Sequence, residues 1–169
     1  ETSDSSEYFA DKVVISVPLA VLKSDMITFT PDLPEEKLEG IANMDYGIMD
    51  KLVIYFDDIF WPEDADGFIY AGEDLTGRWM FTMPMNKWTD EPMLVMFNMA
   101  GAAVDIGELS DEDLLAEAIE VLGIMFEEEN VANVLSYVRT DWSHDPYALM
   151  SYAGMGLDSK YPKVCKDIQ

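Results

Sequence analysis

GIMDKLVIYFDDIFW, residues 47–61, holds an apolar run from Ile48 to Phe56 that is interrupted by Lys51 and followed by Phe60 and Trp61. Counting by twos, Lys51 shares one strand face with Val53 and Tyr55, while Leu52, Ile54 and Phe56 take the other. Both faces are apolar, so the spacing predicts a strand buried on both sides. An ammonium group in such a strand is expensive. It keeps its proton by hydrogen bonding to a carbonyl or a water, or loses it and becomes a base as burial lowers its pKa by up to about 3–5 units. A third option is a packed stem that carries the charged head out to solvent.

On the N-terminal side, Lys12 to Val17 with the β-branched run Val13, Val14, Ile15 predicts a strand that Pro18 ends. A helical turn over Leu19 to Lys23 and a short strand over Ile27 to Phe29 follow. Pro34 suits a first helical position, with Glu35 and Glu36 in the first turn and Leu38 and Ile41 at helical spacing, and this helix should end before Gly47. On the C-terminal side, turn residues Pro62 to Gly67 precede candidate strands at Phe68 to Gly72, Arg78 to Pro84 and Pro92 to Met99, the last apolar enough to be central. Ser110 with Asp111, Glu112 and Asp113 opens a helix whose apolar stripe is Leu114, Leu115, Ala118, Ile119, Leu122 and Met125. A last strand spans Val134 to Trp142, and Pro146 to Tyr161 reads as mostly irregular. The pattern is α+β, a mixed and largely antiparallel sheet of about six strands flanked by helices.

Composition narrows the function classes. With 169 residues, 49% of them hydrophobic, the chain can bury a sizeable core in one domain or part of a larger one. Its 34 acidic against 10 basic residues, a net charge of −24, repel phosphate backbones and anionic membranes, which argues against nucleic acid as a direct ligand. Such a field attracts cations, and it also serves solubility or salt adaptation. No apolar stretch reaches the roughly 20 residues that span a bilayer, and ETSDSSEY at the start is no signal peptide, so the chain reads as soluble with its compartment open.

Other constellations reduce to ordinary structure. Asp64, Asp66 and Gly67 resemble the opening of a calcium loop, but Phe68 and Tyr70 stand where later ligands belong, and no metal site is expected. Gly154, Gly156 and Ser159 imitate a dinucleotide fingerprint without the strand and helix it needs. His144, the sole histidine, has no serine or cysteine nucleophile motif around it and reads as a turn residue. Glu127 to Glu129 mark a solvated helix end. Cys165, the one cysteine, excludes an internal disulfide framework. Trp61, Trp79, Trp88, Trp142, Tyr147, Tyr152 and Tyr161 either pack in the core or line a cage for an ammonium group.

Taken in order, ADKVVISVPLAVLKS at 10–24, PDLPEEKLEGIANMDYGIMDKLVIYFDDIFW at 31–61, the run Ala100-Gly101-Ala102-Ala103, LSDEDLL at 109–115 and TDWSHDPYALMSY at 140–152 resemble flavin-containing amine oxidases. The family includes monoamine and polyamine oxidases and flavin-dependent histone lysine demethylases. The resemblance runs through almost the whole chain and is to the substrate-binding middle portion of these enzymes.

This resemblance implies a catalytic role for Lys51, which in MDKLV matches the family lysine that hydrogen-bonds a water beside the flavin. It implies an amine pocket of Trp142, from the family's W-x-x-D-P block, Tyr152, from its G-S-Y block, and Tyr161. Val17, Pro18, Lys51 and Trp142 are then the residues against the flavin. Met150 stands where the family has glycine, which alters the local backbone expected there. Residues 1–17 resemble the edge of the FAD-binding domain and 18–169 the substrate-binding domain, while the glycine-rich nucleotide-binding segment is absent. FAD, non-covalent because Cys165 lies in V-C-K and not in the family's cysteine motif, would need the remainder of the same protein or a partner chain. The implied reaction is oxidation of an amine C–N bond by transfer of a hydride from the amine carbon to flavin, giving an imine, with oxygen then reoxidising the flavin and leaving as hydrogen peroxide. The alternative is a non-catalytic interaction subunit that kept this fold without flavin, its methionine-rich exposed face covered by other proteins.

Overall fold

A computed structural model describes residues 4–72 and 77–155. Its centre is β2, Met49–Phe56, where Leu52 and Ile54 are 0% exposed and Phe56 1%. Two antiparallel neighbours flank it: β5, Met93–Met99, pairs Lys51 with Phe97 and Val53 with Val95, and β6, Val134–Arg139, pairs Val53 with Val138. The ladder with β6 shifts register between Tyr55 and Phe56. Beyond β5 lie β4, Phe81–Pro84, and β3, Phe68–Ile69, which completes a five-stranded antiparallel sheet of order β3-β4-β5-β2-β6.

One face of this sheet carries the core. Helix α5, Asp111–Phe126, starts where the Ser110 hydroxyl accepts from the Asp113 amide at 3.1 Å, and acids occupy its first turn. Its Leu114, Ala118, Val121 and Leu122 are buried in one cluster with Leu52, Ile54, Phe56, Leu94 and Met96. Burying each such aliphatic side chain contributes about 1.5–3 kcal/mol before entropy is counted. Edge-to-face rings close the cluster, with Phe60 4.9 Å from Phe56 and 5.6 Å from Phe126. The ring of Trp79 joins them from a loop, its amide donating to Asn98 Oδ1 at 2.7 Å and its Nε1 to Glu117 Oε1 at 2.8 Å.

The opposite face of β2 is only half-buried at Lys51, Val53 and Tyr55, so the strand is not enclosed on both sides as its composition predicts. The physical reason is coverage: α5 and α4, Gly101–Gly107, contribute their buried side chains to the Leu52 side. The expected strand over Lys12 to Val17 is also absent. Val13 and Val14 are 76% and 91% exposed there, and without a neighbouring backbone to pair with, β-branched residues alone do not make a strand. Ile27 to Phe29 is likewise irregular, and the strands expected over Phe68 to Gly72 and Arg78 to Pro84 shrink to β3 and β4.

Before the sheet come α1, Leu19–Lys23, and α2, Glu35–Asn43, which Pro34 immediately precedes. Directly after α2 the chain forms β1, Met44–Gly47, and this pairs antiparallel with β7, Tyr152–Met155, in a separate two-stranded ribbon. Neither strand is expected from the sequence, which puts Met44 to Tyr46 in the tail of the preceding helix and β7 in the irregular stretch from Pro146 to Tyr161. A short α3, Asn86–Thr89, completes the described elements with a 3-10 turn at Glu128–Asn130. No helix among the described residues is long and apolar enough to cross a membrane.

Candidate functional site

The start of β2 is clasped from two directions by the segment that follows β6. Thr140 exchanges hydrogen bonds with Lys51: its Oγ1 accepts from the Lys51 amide at 2.9 Å and its own amide donates to the Lys51 carbonyl at 3.0 Å. Thr140 Oγ1 in turn donates to Asp50 Oδ1 at 2.7 Å, and the same oxygen accepts from the Trp142 amide at 3.1 Å. Further along, Ser151 Oγ accepts from the Met49 amide at 2.7 Å and donates to the Met49 carbonyl at 2.9 Å. Together these bonds bring residues 140–152 against 47–51, although the bonded pairs stand 89 to 102 positions apart in the sequence.

Between these clasps lies a cavity of about 370 Å³, lined among others by Val17, Pro18, Tyr46, Trp142, Met150 and Tyr152. Four of the residues singled out from the sequence, Val17, Pro18, Trp142 and Tyr152, therefore converge. Lys51 is not in the lining. Its side chain emerges on the half-buried sheet face, with Nζ 5.7 Å from the centre of the Phe97 ring, close enough for a cation–π contact. Its backbone is tied through Thr140 and Asp50 to the backbone of Trp142, which does line the cavity. Tyr161, the remaining expected cage residue, lies outside the described residues, as do Gly156, Ser159 and Cys165.

Tyr46 and Asp50 belong to this site and were missed in the sequence. Tyr46 sits on β1, whose pairing with β7 puts it beside Tyr152, and Lys23 Nζ stands 5.5 Å over its ring while donating to the carbonyls of Ala42 and Met44. Asp50 carried a readable signal. Parity places it on the same face as Leu52, Ile54 and Phe56, so a carboxylate at a core position was there to be noticed, and it is 1% exposed. Met150, in place of the family's glycine, has no left-handed backbone; Leu149 before it does, with φ of 62°.

A second polar cluster supports the Trp142 loop from outside. Arg139 at the end of β6 donates to the Leu109 carbonyl at 3.0 Å and pairs with Asp111 and Asp141, each at 3.2 Å. His144 Nδ1 lies 2.8 Å from Asp141 Oδ1 and its Nε2 is 3.8 Å from Glu108. The hydrogen bond and charge of Asp141, with Glu108 adding to them, raise the His144 pKa above its ordinary value. For Asp141, partial burial pushes upward, but the His144 hydrogen bond and the His144 and Arg139 charges prevail and hold it below the ordinary carboxylate value. The turn histidine expected from sequence is thus an ion-pair partner in a turn.

The cavity suits a flat ring or a small amine. Its walls are mostly aromatic and aliphatic, and its size is at the lower end of small-molecule pockets. No glycine lines it among the described residues, so it offers no backbone cradle for a pyrophosphate. A larger, shallow groove of about 910 Å³ runs along the outer face of α5 between Glu112 and Glu128. It shares no residue with the clasped cavity and holds none of the chemistry-bearing side chains, so volume alone does not make it the site.

Residues 1–162 match the family model described as flavin containing amine oxidoreductase. Over 158 residues the chain is 32% identical to lysine-specific histone demethylase 1 homolog 3 of Arabidopsis thaliana, covering 92% of this chain and 10% of that protein. It is 33% identical over 155 residues to polyamine oxidase 3 of Oryza sativa subsp. japonica, covering 92% of this chain and 31% of that one. The fold matches that of a putrescine oxidase solved with putrescine bound, at a TM-score of 0.68 and 21% identity over 86% of this chain and 32% of that chain. The chain thus spans a third or less of the length of these relatives. Sequence and fold agree, and the chain belongs to the flavin containing amine oxidoreductase family.

Proposed function

We propose that the chain is the substrate-binding part of an FAD-dependent amine oxidase. The observation that carries this reading is the convergence of Val17, Pro18, Trp142 and Tyr152 on one apolar cavity clasped to the strand that holds Lys51. A non-covalent FAD bound there supplies the hydride acceptor for oxidation of an amine C–N bond, with imine and, after reoxidation by oxygen, hydrogen peroxide as products.

The chain's own groups have separate tasks. Val17, Pro18 and Trp142 flank the flavin ring. Trp142 and Tyr152, with Tyr161 as a further cage residue, hold the amine, since ring faces attract ammonium groups and apolar walls exclude bulk water. Lys51 orients a water toward the reacting atoms through its ammonium protons. Residues 1–17 form an edge of the FAD-binding domain, and the exposed apolar side chains of Tyr8, Phe9, Val13 and Val14 are what the FAD-binding remainder, on the same or a partner chain, would cover. The excess of acids favours a cationic amine reaching this surface.

The test is an absorbance spectrum of the protein purified from its native source, with the mass of every copurifying chain and peroxide release on addition of polyamines. Flavin bands with amine-dependent peroxide support the reading. An intact 19.1 kDa chain without flavin, bound to other proteins, overturns it in favour of a non-catalytic interaction subunit with this fold.

A further inference from the structure

We infer that Asp50 is a positioning residue that fixes Trp142 relative to Lys51, an inference that rests on the assignment of those two residues to the amine site. Asp50 occupies a core position of β2, between half-buried Met49 and Lys51 and on the face of Leu52 and Ile54, and is 1% exposed. A carboxylate is a poor choice there for core stability. Burying a charge is costly unless close partners offset it, and an apolar side chain of similar size would pack without that penalty.

What Asp50 does at that position is connect. Its Oδ1 accepts from both Thr140 Oγ1 and the Trp142 amide, and Thr140 Oγ1 accepts from the Lys51 amide, so one oxygen ends a relay from the Lys51 backbone to the Trp142 backbone. Its other oxygen, Oδ2, is buried and makes no hydrogen bond to a described residue. A carboxylate kept at half its bonding capacity in a core is held for the bonds it makes. Those bonds lead to Trp142, which lines the cavity, and to the backbone of Lys51, whose side chain lies on the other face of the strand. Charge-assisted bonds are short, directional and stronger than neutral ones, which is what setting an indole against a reacting centre requires.

The experiment uses the full-length protein labelled with 5-fluorotryptophan, with the Trp142 resonance assigned through Trp142→Phe. Asp50→Asn keeps an acceptor oxygen for Thr140 and Trp142, whereas Asp50→Ala removes it. Asp50→Ala is expected to shift or broaden the Trp142 fluorine resonance while that of Trp88, on α3, stays in place, and Asp50→Asn is expected to restore the Trp142 resonance. In the flavin-loaded protein, Asp50→Ala should slow amine-dependent flavin reduction on the order of 10- to 100-fold, with most of the rate recovered in Asp50→Asn.

Should Asp50→Ala fail to fold, Thr140→Val breaks the same relay in a nearly isosteric way, and Thr140→Ser should restore it. An unmoved Trp142 resonance in Asp50→Ala or Thr140→Val overturns the inference. So does equal loss in Asp50→Asn and Asp50→Ala accompanied by a general fall in melting temperature. The fluorine readout needs no turnover: a protein that neither binds flavin nor oxidises amines removes the proposed function, while the resonance still decides what Asp50 does.

Discussion

The ring of Tyr152 lies over the α carbon of Gly47, the residue it pairs with across the β1–β7 ribbon, leaving no space for a β carbon there. An added methyl would stand 2.7 Å from Tyr152 Cε2 and nearer still to the end of the ring. Glycine at this position is therefore a seat for one wall of the cavity. Gly47→Ala should displace the Tyr152 ring, at a small cost in stability because that ring is half exposed and free to swing aside. The expected outcome is a lowered melting temperature together with weaker amine binding, read from the KM of the full-length protein. A stable variant with unchanged KM would show that Tyr152 does not shape the pocket.

Lys51→Met keeps the length of the side chain and removes its charge and donors. The methionine side chain keeps the packing of the stem and gives up only the partly exposed contact of the ammonium with the Phe97 ring, so folding and flavin content should change little. The rate of flavin reduction or reoxidation should fall on the order of 100-fold. Stopped-flow absorbance separates the two half-reactions, and an unchanged rate in both would remove Lys51 from the mechanism.

Glu117 accepts from Trp79 Nε1 at 2.8 Å and from Arg78 at 2.7 Å, joining α5 to the loop before β4. Glu117→Ala strips the fully buried indole of its acceptor. The expected cost is about 1–3 kcal/mol, the penalty of an unsatisfied buried donor. Urea unfolding measures it, and Glu117→Gln, which keeps an acceptor oxygen, should lose much less.

His144 makes the Trp142 loop sensitive to pH. Its folded pKa is raised, so the stabilisation is fully present below the unfolded value of 6.5 and is lost as pH rises through the folded value. Asp141 has the opposite sign: its depressed folded pKa gives stability present above the unfolded value of 3.8 and lost as pH falls through the folded one. Melting temperatures of the wild type and His144→Asn should therefore differ most near about pH 5.5 and converge toward about pH 9. The difference should be small because the imidazole is largely exposed and solvent screens the pair. A gap that widens with rising pH would contradict the assignment.

The chemistry of the fold was legible where side chains alternate strongly. The run from Leu52 to Phe56 predicted its strand, the apolar Pro92 to Met99 segment took the second central position, and Ser110 with its acids marked the start of α5. What failed was local inference about pairing. Lys12 to Val17 has strand composition without a partner, whereas Met44 to Gly47 and Tyr152 to Met155 have weak composition but find each other at a separation that no local window can see. For the site, resemblance supplied Trp142 and Tyr152, and the structure brought them together. Asp50 is masked in the sequence by the basic residue beside it, since in a strand of uncertain register either charge could face the core, and it is the acid that is buried.

That adjacency of opposite charges also guards the sheet against mispairing. A one-residue slip of β2 against β5 would exchange the two faces, driving an ammonium toward Leu94 and Met96 and turning Leu52 and Ile54 outward, while Thr140 and Trp142 lost their acceptor. An apolar strand with two similar faces is ordinarily permissive about its register. Here the Asp50–Lys51 step acts as a key that fits in one alignment only, so the residues that place the site also help select the one pairing in which the domain folds.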